Sequence, residues 1–455
     1  MLTATETRSE VPSAPESGAA RLSCWLRVRE FAVPAPMIDS AAERRAGGDW
    51  AGACAAARVD VDLDLRRIAG AYGRETALRI RRDLRHFAPD LLRWHFPRIS
   101  PDGLLRPGLT LSLARYATEI PGRRPHLVVR TPPAWAEAGQ RISLTVWDGA
   151  RPRGSAHPHP RPNARFRLDL HRHLWDARRA GELRERAMGQ PQPLMLQGDM
   201  EPNWAVHRWA DEARRVLAAE GRGPEGRVVV SAGRGRRLAI DTGERRVTQV
   251  TRAAAEKHPL LPDAATWVPP DLELLRAGLI DAGQLHPLVA TALTDAPVRR
   301  RPPQQLGAPQ LVDCRGARHR IGFVDGRLAA LDHEPEELRR EELLTAFGGP
   351  PMPCLQAIDV VHRRPEALDG VRERLAHGDT EGALAVVEGL LGPEAVLREG
   401  PLREALETAA LRRIDHGLYR AGLAGHLPAG NHWCRRCGPG RTHPLHACLR
   451  HTRRR

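Results

Sequence analysis

Four residues near the C-terminal end of the chain, Cys434, Cys437, His443 and Cys448, are spaced as ligands of one metal ion. A Cys-x2-Cys turn supplies two thiolates; one imidazole and a third thiolate complete the soft tetrahedral set that Zn2+ takes, so zinc is the expected cofactor. Asp60, Asp62 and Asp64 alternate in "VDVDLDL". On a strand they share a face and offer oxygen ligands for Mg2+; in a loop entering a helix they act as caps and solvated charges. His157 and His159 in "AHPHP", and His171 and His173 in "DLHRHLW", form two pairs that either converge on a transition metal or sit apart in a proline-rich loop and a helix start. The sequence carries no Gly-x-Ser-x-Gly elbow, phosphate-binding loop or His-Glu-x-x-His motif.

The tail "NHWCRRCGPGRTHPLHACLRHTRRR" resembles the retroviral-type zinc knuckle, with one extra residue in its second gap. That resemblance implies a single-stranded nucleic-acid partner, with Trp433 stacking on a base and Arg435, Arg436 and Arg441 on phosphates. The alternative is an unstructured basic tail. The other cysteines, Cys24, Cys54, Cys314 and Cys354, stand singly among small or apolar neighbours and read as free buried thiols.

A phrase occurs twice: "GDWAGACA" from Gly48 and "GDTEGALA" from Gly378. Glycine ends one helix, aspartate caps the next, and small residues let the two helices approach. The turn is similar to that of tetratricopeptide-type repeats, without their tandem array. Trp50, in the first copy, is the candidate partner-binding anchor.

Helical periodicity covers 34–98, with one long helix expected from about 65 to 87. Period-two alternation marks strands at 109–116, 126–131, 141–149 and 165–170 and meanders at 227–252 and 311–331. The expected class is α+β: helical-hairpin blocks alternating with small antiparallel β-meanders in a multidomain chain. The expected blocks are a disordered leader 1–20, a helical module 21–100, a β-rich module 101–200 with a Pro/Arg loop at 151–163, a helix plus meander and helical segment 201–305, a meander followed by a helical module 306–426, and a basic Cys/His tail 427–455.

The 455 residues carry a formal charge of +15, with 27% charged and 41% hydrophobic residues. Lys257 is the only lysine, so the basicity is arginine from a GC-rich coding bias as much as a polyanion signal. Every apolar run is interrupted before the ~20 residues a membrane span needs. The stretches "GDWAGACAAARVDVDLDL", "APDLLRWHFPR" and "DLELLRAGLI" resemble a family of proteins from GC-rich bacteria, and the likeness implies no activity and no site residue. The resulting expectation is a cytoplasmic, non-enzymatic scaffold with a protein partner. A nucleic-acid-associated protein using the tail and a metal-dependent enzyme of unfamiliar type are the alternatives.

Overall fold

The computed structural model describes residues 18–118, 120, 123–149, 157–189, 194–196, 203–232, 235–294, 310–324, 327–363, 369–391 and 401–423. The α+β expectation holds: helices predominate, and the strands form several small sheets. Helix α1 (Gly18–Arg27) runs into a π-helical turn, Val28–Ala32, followed by α2 (Ala35–Ala46), opened by Pro36 in its first turn, and α3 (Trp50–Ala56). Strand β1 (Val59–Asp62) precedes α4 (Leu65–Tyr72), α5 (Arg74–Arg85) and α6 (Pro89–His95). The single helix expected over 65–87 is broken at Gly73, whose φ of 89° no helix accommodates.

A short hairpin, β2 (Arg98–Ile99) and β3 (Leu104–Leu105), leads to β4 (Thr110–Arg115), β5 (His126–Arg130) and β6 (Ile142–Trp147). These last three pair antiparallel, and β1 adds to β6 in parallel, giving the order β1-β6-β5-β4. The expected strand at 165–170 is instead a bridge at Arg167 and a 3-10 turn, Leu168–Leu170. Trp94, Trp175, Phe87, Ile80, Leu84 and Leu111 are fully buried in the main core, which reaches from Val28 to Leu293 and so draws on three of the blocks expected from sequence.

Helix α7 (Glu182–Met188) precedes a second sheet made of β7 (Met195–Leu196), β8 (Arg227–Ser231), β9 (Arg237–Asp241) and β10 (Arg246–Gln249), in the order β7-β10-β9-β8. Helix α8 (Val206–Ala219) packs Trp209, Ala213, Val216 and Leu217 against Val228, Val230 and Ile240 of that sheet, the i, i+4, i+7 stripe its sequence carries. Short helices α9 (Arg252–Ala255), α10 (Asp263–Thr266), α11 (Pro270–Arg276) and α12 (Pro287–Leu293) return the chain to the main core. A third sheet follows, β11 (Gln310–Cys314), β12 (Ala317–Val324) and β13 (Arg327–Ala330), with α13 (Pro335–Ala346) and α14 (Pro353–Arg363). Helices α15 (Asp369–Ala376), α16 (Thr380–Leu391) and α17 (Pro401–Arg420) close the described chain.

The repeated phrase folds the same way twice, as α2–α3 and as α15–α16. Gly48 and Gly378 both have φ of 79°. Asp49 Oδ1 accepts from Gly52 N at 2.8 Å, and Asp379 Oδ1 from Gly382 N at 3.3 Å. Arg44 and Arg374, five residues before each aspartate, pair with its other oxygen. The second copy docks on the chain just after the first. Arg58 Nη2 donates to Asp379 Oδ1 at 3.0 Å and Nη1 to His377 O at 2.9 Å, and the His377 ring stacks on Phe31.

The two glycines therefore predict different outcomes on replacement by alanine. At Gly48 a Cβ meets open space, so the expected cost is the backbone strain alone, about 1–2 kcal/mol. At Gly378 a Cβ would lie 2.2 Å from Gly139 O, so α15 must also leave its seat. Urea denaturation and limited proteolysis check this: new cleavage within 369–391 is expected in Gly378→Ala and not in Gly48→Ala, and identical digestion of the two variants would refute it.

Candidate metal centre

Among the described residues one group of His, Cys and carboxylate side chains has the geometry to hold a metal ion: Cys314, His319, His333 and Cys354, whose ligand atoms all lie within 4.8 Å of one another. Its construction begins with a two-residue hairpin. Arg315 (φ 52°) and Gly316 (φ 82°) join β11 to β12, so that Cys314 pairs with Ala317 and Val312 with His319. Side chains alternate along a strand, and this register puts Cys314 and His319 on one face. His333 follows β13 by three residues, and Asp332 fixes that loop by accepting from the Arg320 backbone N–H at 2.7 Å and from its guanidinium. Cys354 is the second residue of α14.

Both thiols are buried, and they form a small core with Ala330 and Met352. Burial and the adjacent Cys314 thiol push Cys354 up to about 11. The two imidazoles approach closely, His319 Nδ1 to His333 Nε2 at 2.6 Å. His333 Nδ1 lies 3.1 Å from Glu337 Oε2, and with Nδ1–H donating to that carboxylate the Nε2 lone pair faces the cluster. Glu337 on α13 also receives Arg315 Nη1 at 3.1 Å, and Glu341 receives Arg315 Nη2 at 2.5 Å. The hairpin tip, α13 and one ligand are thus tied together.

Cys314 and Cys354 are buried and form no disulfide, as expected, and the fold in addition brings them to His319 and His333, a grouping the sequence reading missed. A signal was present in the sequence: four donors spaced Cys-x4-His-x13-His-x20-Cys, Cys314 next to a turn and His319 in alternation with it. The thirty-nine residues between the two cysteines conceal the pairing from any local motif.

The other candidate residues do not gather. Asp60 is bound by Arg141 at 2.5 Å and approached by His416 Nε2 at 3.4 Å; Asp62 is held by Arg420; Asp64 caps α4 by accepting from the backbone N–H groups of Arg66 and Arg67. Burial raises the Asp60 pKa, but its bonds to His416 and Arg141 outweigh this and leave it well below the usual carboxylate range. The three carboxylates serve ion pairs and a cap, not one cation. His157 Nε2 bonds to Thr131 O, and its Nδ1 accepts from His159 N; His171 lies between Arg167 O and Glu212, and His173 Nδ1 accepts from Arg186. Trp50 is half-buried and packs against the main core. The proposed tail ligands Cys434, Cys437, His443 and Cys448, and the contacts Trp433, Arg435, Arg436 and Arg441, lie outside the described residues.

Buried histidines instead give the fold a pH dependence. Burial pushes His95, His157 and His377 down to about 4. The unfolded chain, with histidine near 6.5, binds more protons than the native state between about pH 6.5 and 4. Stability from these groups is therefore complete above pH 6.5 and falls as pH drops, by up to about 1.4 kcal/mol per pH unit for each histidine. Urea midpoints at pH 7.5 and 5.0 check this; equal midpoints would mean that the rings titrate freely.

No protein-family model, curated protein or solved structure matches this chain. No helix of the described residues is long and apolar enough to cross a membrane.

Proposed function

We propose that the chain is a non-enzymatic interaction protein whose 310–363 module is organised by a structural Zn2+ ion held by Cys314, His319, His333 and Cys354. The observation that carries this reading is the closed ligand set: two buried thiols and two imidazoles, with a carboxylate behind one ring. Four protein ligands leave no position for water or substrate, the distinction between structural and catalytic zinc. Zn–S bonds near 2.3 Å and Zn–N bonds near 2.0–2.1 Å separate tetrahedral donors by roughly 3.3–3.8 Å. The cluster, with its closest pair at 2.6 Å and none beyond 4.8 Å, brackets that range.

One feature supports a contact role. Helix α13 uses Glu337 and Glu341 to hold the hairpin, and it and the residue after it expose Leu343, Leu344 and Phe347, the last at 88%. The described cysteines form no disulfide, which fits a reducing, cytoplasmic setting.

Cobalt substitution of the full chain tests the reading. A closed site gives the intense visible bands of tetrahedral Co2+ with thiolate charge transfer, unchanged by added azide. A spectrum that azide perturbs would show an open position and favour the metal-enzyme alternative. Native mass spectrometry counts the ions: one zinc lost in Cys354→Ser is the expected result, and a second that persists there and disappears in Cys434→Ser would belong to the tail.

A further inference from the structure

Helix α5 carries a ridge of arginines with no counter-charge among the described residues. Its buried face is Thr76, Ala77, Ile80 and Leu84, which anchor it in the main core. On the opposite side, steps of four, three and four residues align Arg74, Leu78, Arg81 and Arg85, with Arg82 flanking. All four arginines are exposed, and none has a carboxylate within ion-pair distance among the described residues. Of the two acids on the helix, Glu75 pairs with Arg79, and Asp83 is buried against Tyr116, Arg172 and Arg178. The preceding helix α4 adds exposed Arg66 and Arg67.

Alignment sets this helix apart: exposed Arg161, Arg222 and Arg276 also have no ion pair among the described residues, but they stand singly, whereas Arg29–Asp271, Arg45–Asp90, Arg141–Asp60 and Arg186–Glu212 are matched. Like charges three and four residues apart destabilise a helix, and no carboxylate among the described residues offsets that cost. Independently of the metal centre, we propose that the α4–α5 ridge binds the phosphate backbone of a double-stranded nucleic acid.

The chemistry selects this partner. From Arg74 to Arg85 the ridge spans about 16 Å at 1.5 Å per residue, long enough to meet several phosphates, and guanidinium groups bind phosphate through paired N–H donors. A membrane surface requires an exposed apolar face, whereas the apolar face of α5 is turned inward and Leu78 alone interrupts the ridge. Single strands are held by stacking on aromatics; the nearest, Tyr72, is half-buried and its hydroxyl donates to Asp148 at 3.0 Å. The contact is therefore to backbone and not to bases, and carries no sequence preference.

The test uses the full chain and a fluorescent mixed-sequence DNA duplex, with anisotropy titrations across a salt series. The variant combines Arg74→Gln, Arg81→Gln, Arg82→Gln and Arg85→Gln, exposed substitutions that preserve helix propensity, with circular dichroism confirming the fold. Each phosphate contact contributes about 0.9 to the slope of log affinity against log salt, so a reduction of about 3–4 is expected. An equal removal of charge at Arg450, Arg453, Arg454 and Arg455 should leave the ridge contribution in place. The proposal is overturned if the wild-type chain does not bind the duplex at low salt, if the ridge variant keeps the wild-type slope, or if anionic vesicles or polyglutamate compete as well as unlabelled duplex.

Discussion

Replacing Cys314 or Cys354 by serine is expected to abolish binding of the proposed zinc ion and unfold the 310–363 module while both larger cores stay folded. Among the described residues the module's buried apolar cluster is Cys314, Ala330, Met352 and Cys354, with Val312, Leu338, Leu355 and Ile358 packed against it, so two of the four buried members are proposed ligands. A core of that size cannot offset the conformational entropy of roughly fifty residues, and small domains of this kind depend on a metal or on disulfides. Structural zinc supplies binding free energy that is also folding free energy, about 10–16 kcal/mol in isolated finger peptides. Hydrogen exchange provides the measurement. In the serine variants the amides of β11, β12 and β13 should lose protection, whereas those of β8 and β9, in the Trp209 core, should keep it. Glu337→Gln should weaken retention of the proposed zinc by about 10–100-fold without unfolding, because it removes the charge that orients the His333 ring and leaves Glu341 to hold Arg315. Unchanged protection of β12 in Cys314→Ser would dismiss the metal as the organiser of this module.

Asp271→Asn is expected to destabilise the main core by about 3–5 kcal/mol, with no change at the metal centre. Asp271 is fully buried, and its Oδ1 receives Arg29 Nη2 at 2.5 Å and Trp94 Nε1 at 3.0 Å. The Arg29 guanidinium lies 4.1 Å from the Trp94 ring centre and 5.2 Å from that of Trp25, enclosed by aromatic faces with Asp271 as its ion-pair partner. Burial alone would raise the Asp271 pKa, but the Arg29 charge outweighs it and holds the carboxyl below its usual range. Asparagine keeps the shape and leaves Arg29 buried without compensation. Combining Asp271→Leu with Arg29→Met removes both charges and is expected to recover most of the loss. Tryptophan fluorescence during urea denaturation reads both variants; a loss below about 1 kcal/mol in Asp271→Asn would show that water reaches Arg29 and compensates it.

Much of the local structure was legible in the sequence. Strands β4, β5 and β6 fall within the alternating segments, β11 to β13 fall on the expected meander at 311–331, and both Gly-Asp phrases end one helix and cap the next. These features depend on φ preferences, caps and periodicity, all set by residues within a few positions of each other. The break at Gly73 was not legible, because apolar residues at helical spacing continue across it and only the tertiary position of α5 requires the turn.

The candidate site depended still more on distant partners. Asp60 and Asp62 alternate as a metal-binding strand would, yet His416 and Arg420, one helical turn apart on α17, engage them from more than 350 residues away, the first by a ring-nitrogen contact to Asp60 and the second by an ion pair to Asp62. Cys314 and Cys354 each look like an isolated thiol until α14 folds over the third sheet and brings them to His319 and His333. The sequence by itself determined the α+β class, the turns, the caps and the strand alternation, because the energies that specify them act between near neighbours. Only the tertiary structure decided which carboxylates are neutralised and which thiols share a site, because Coulomb and ligand geometry depend on distances in space that spacing along the chain does not encode.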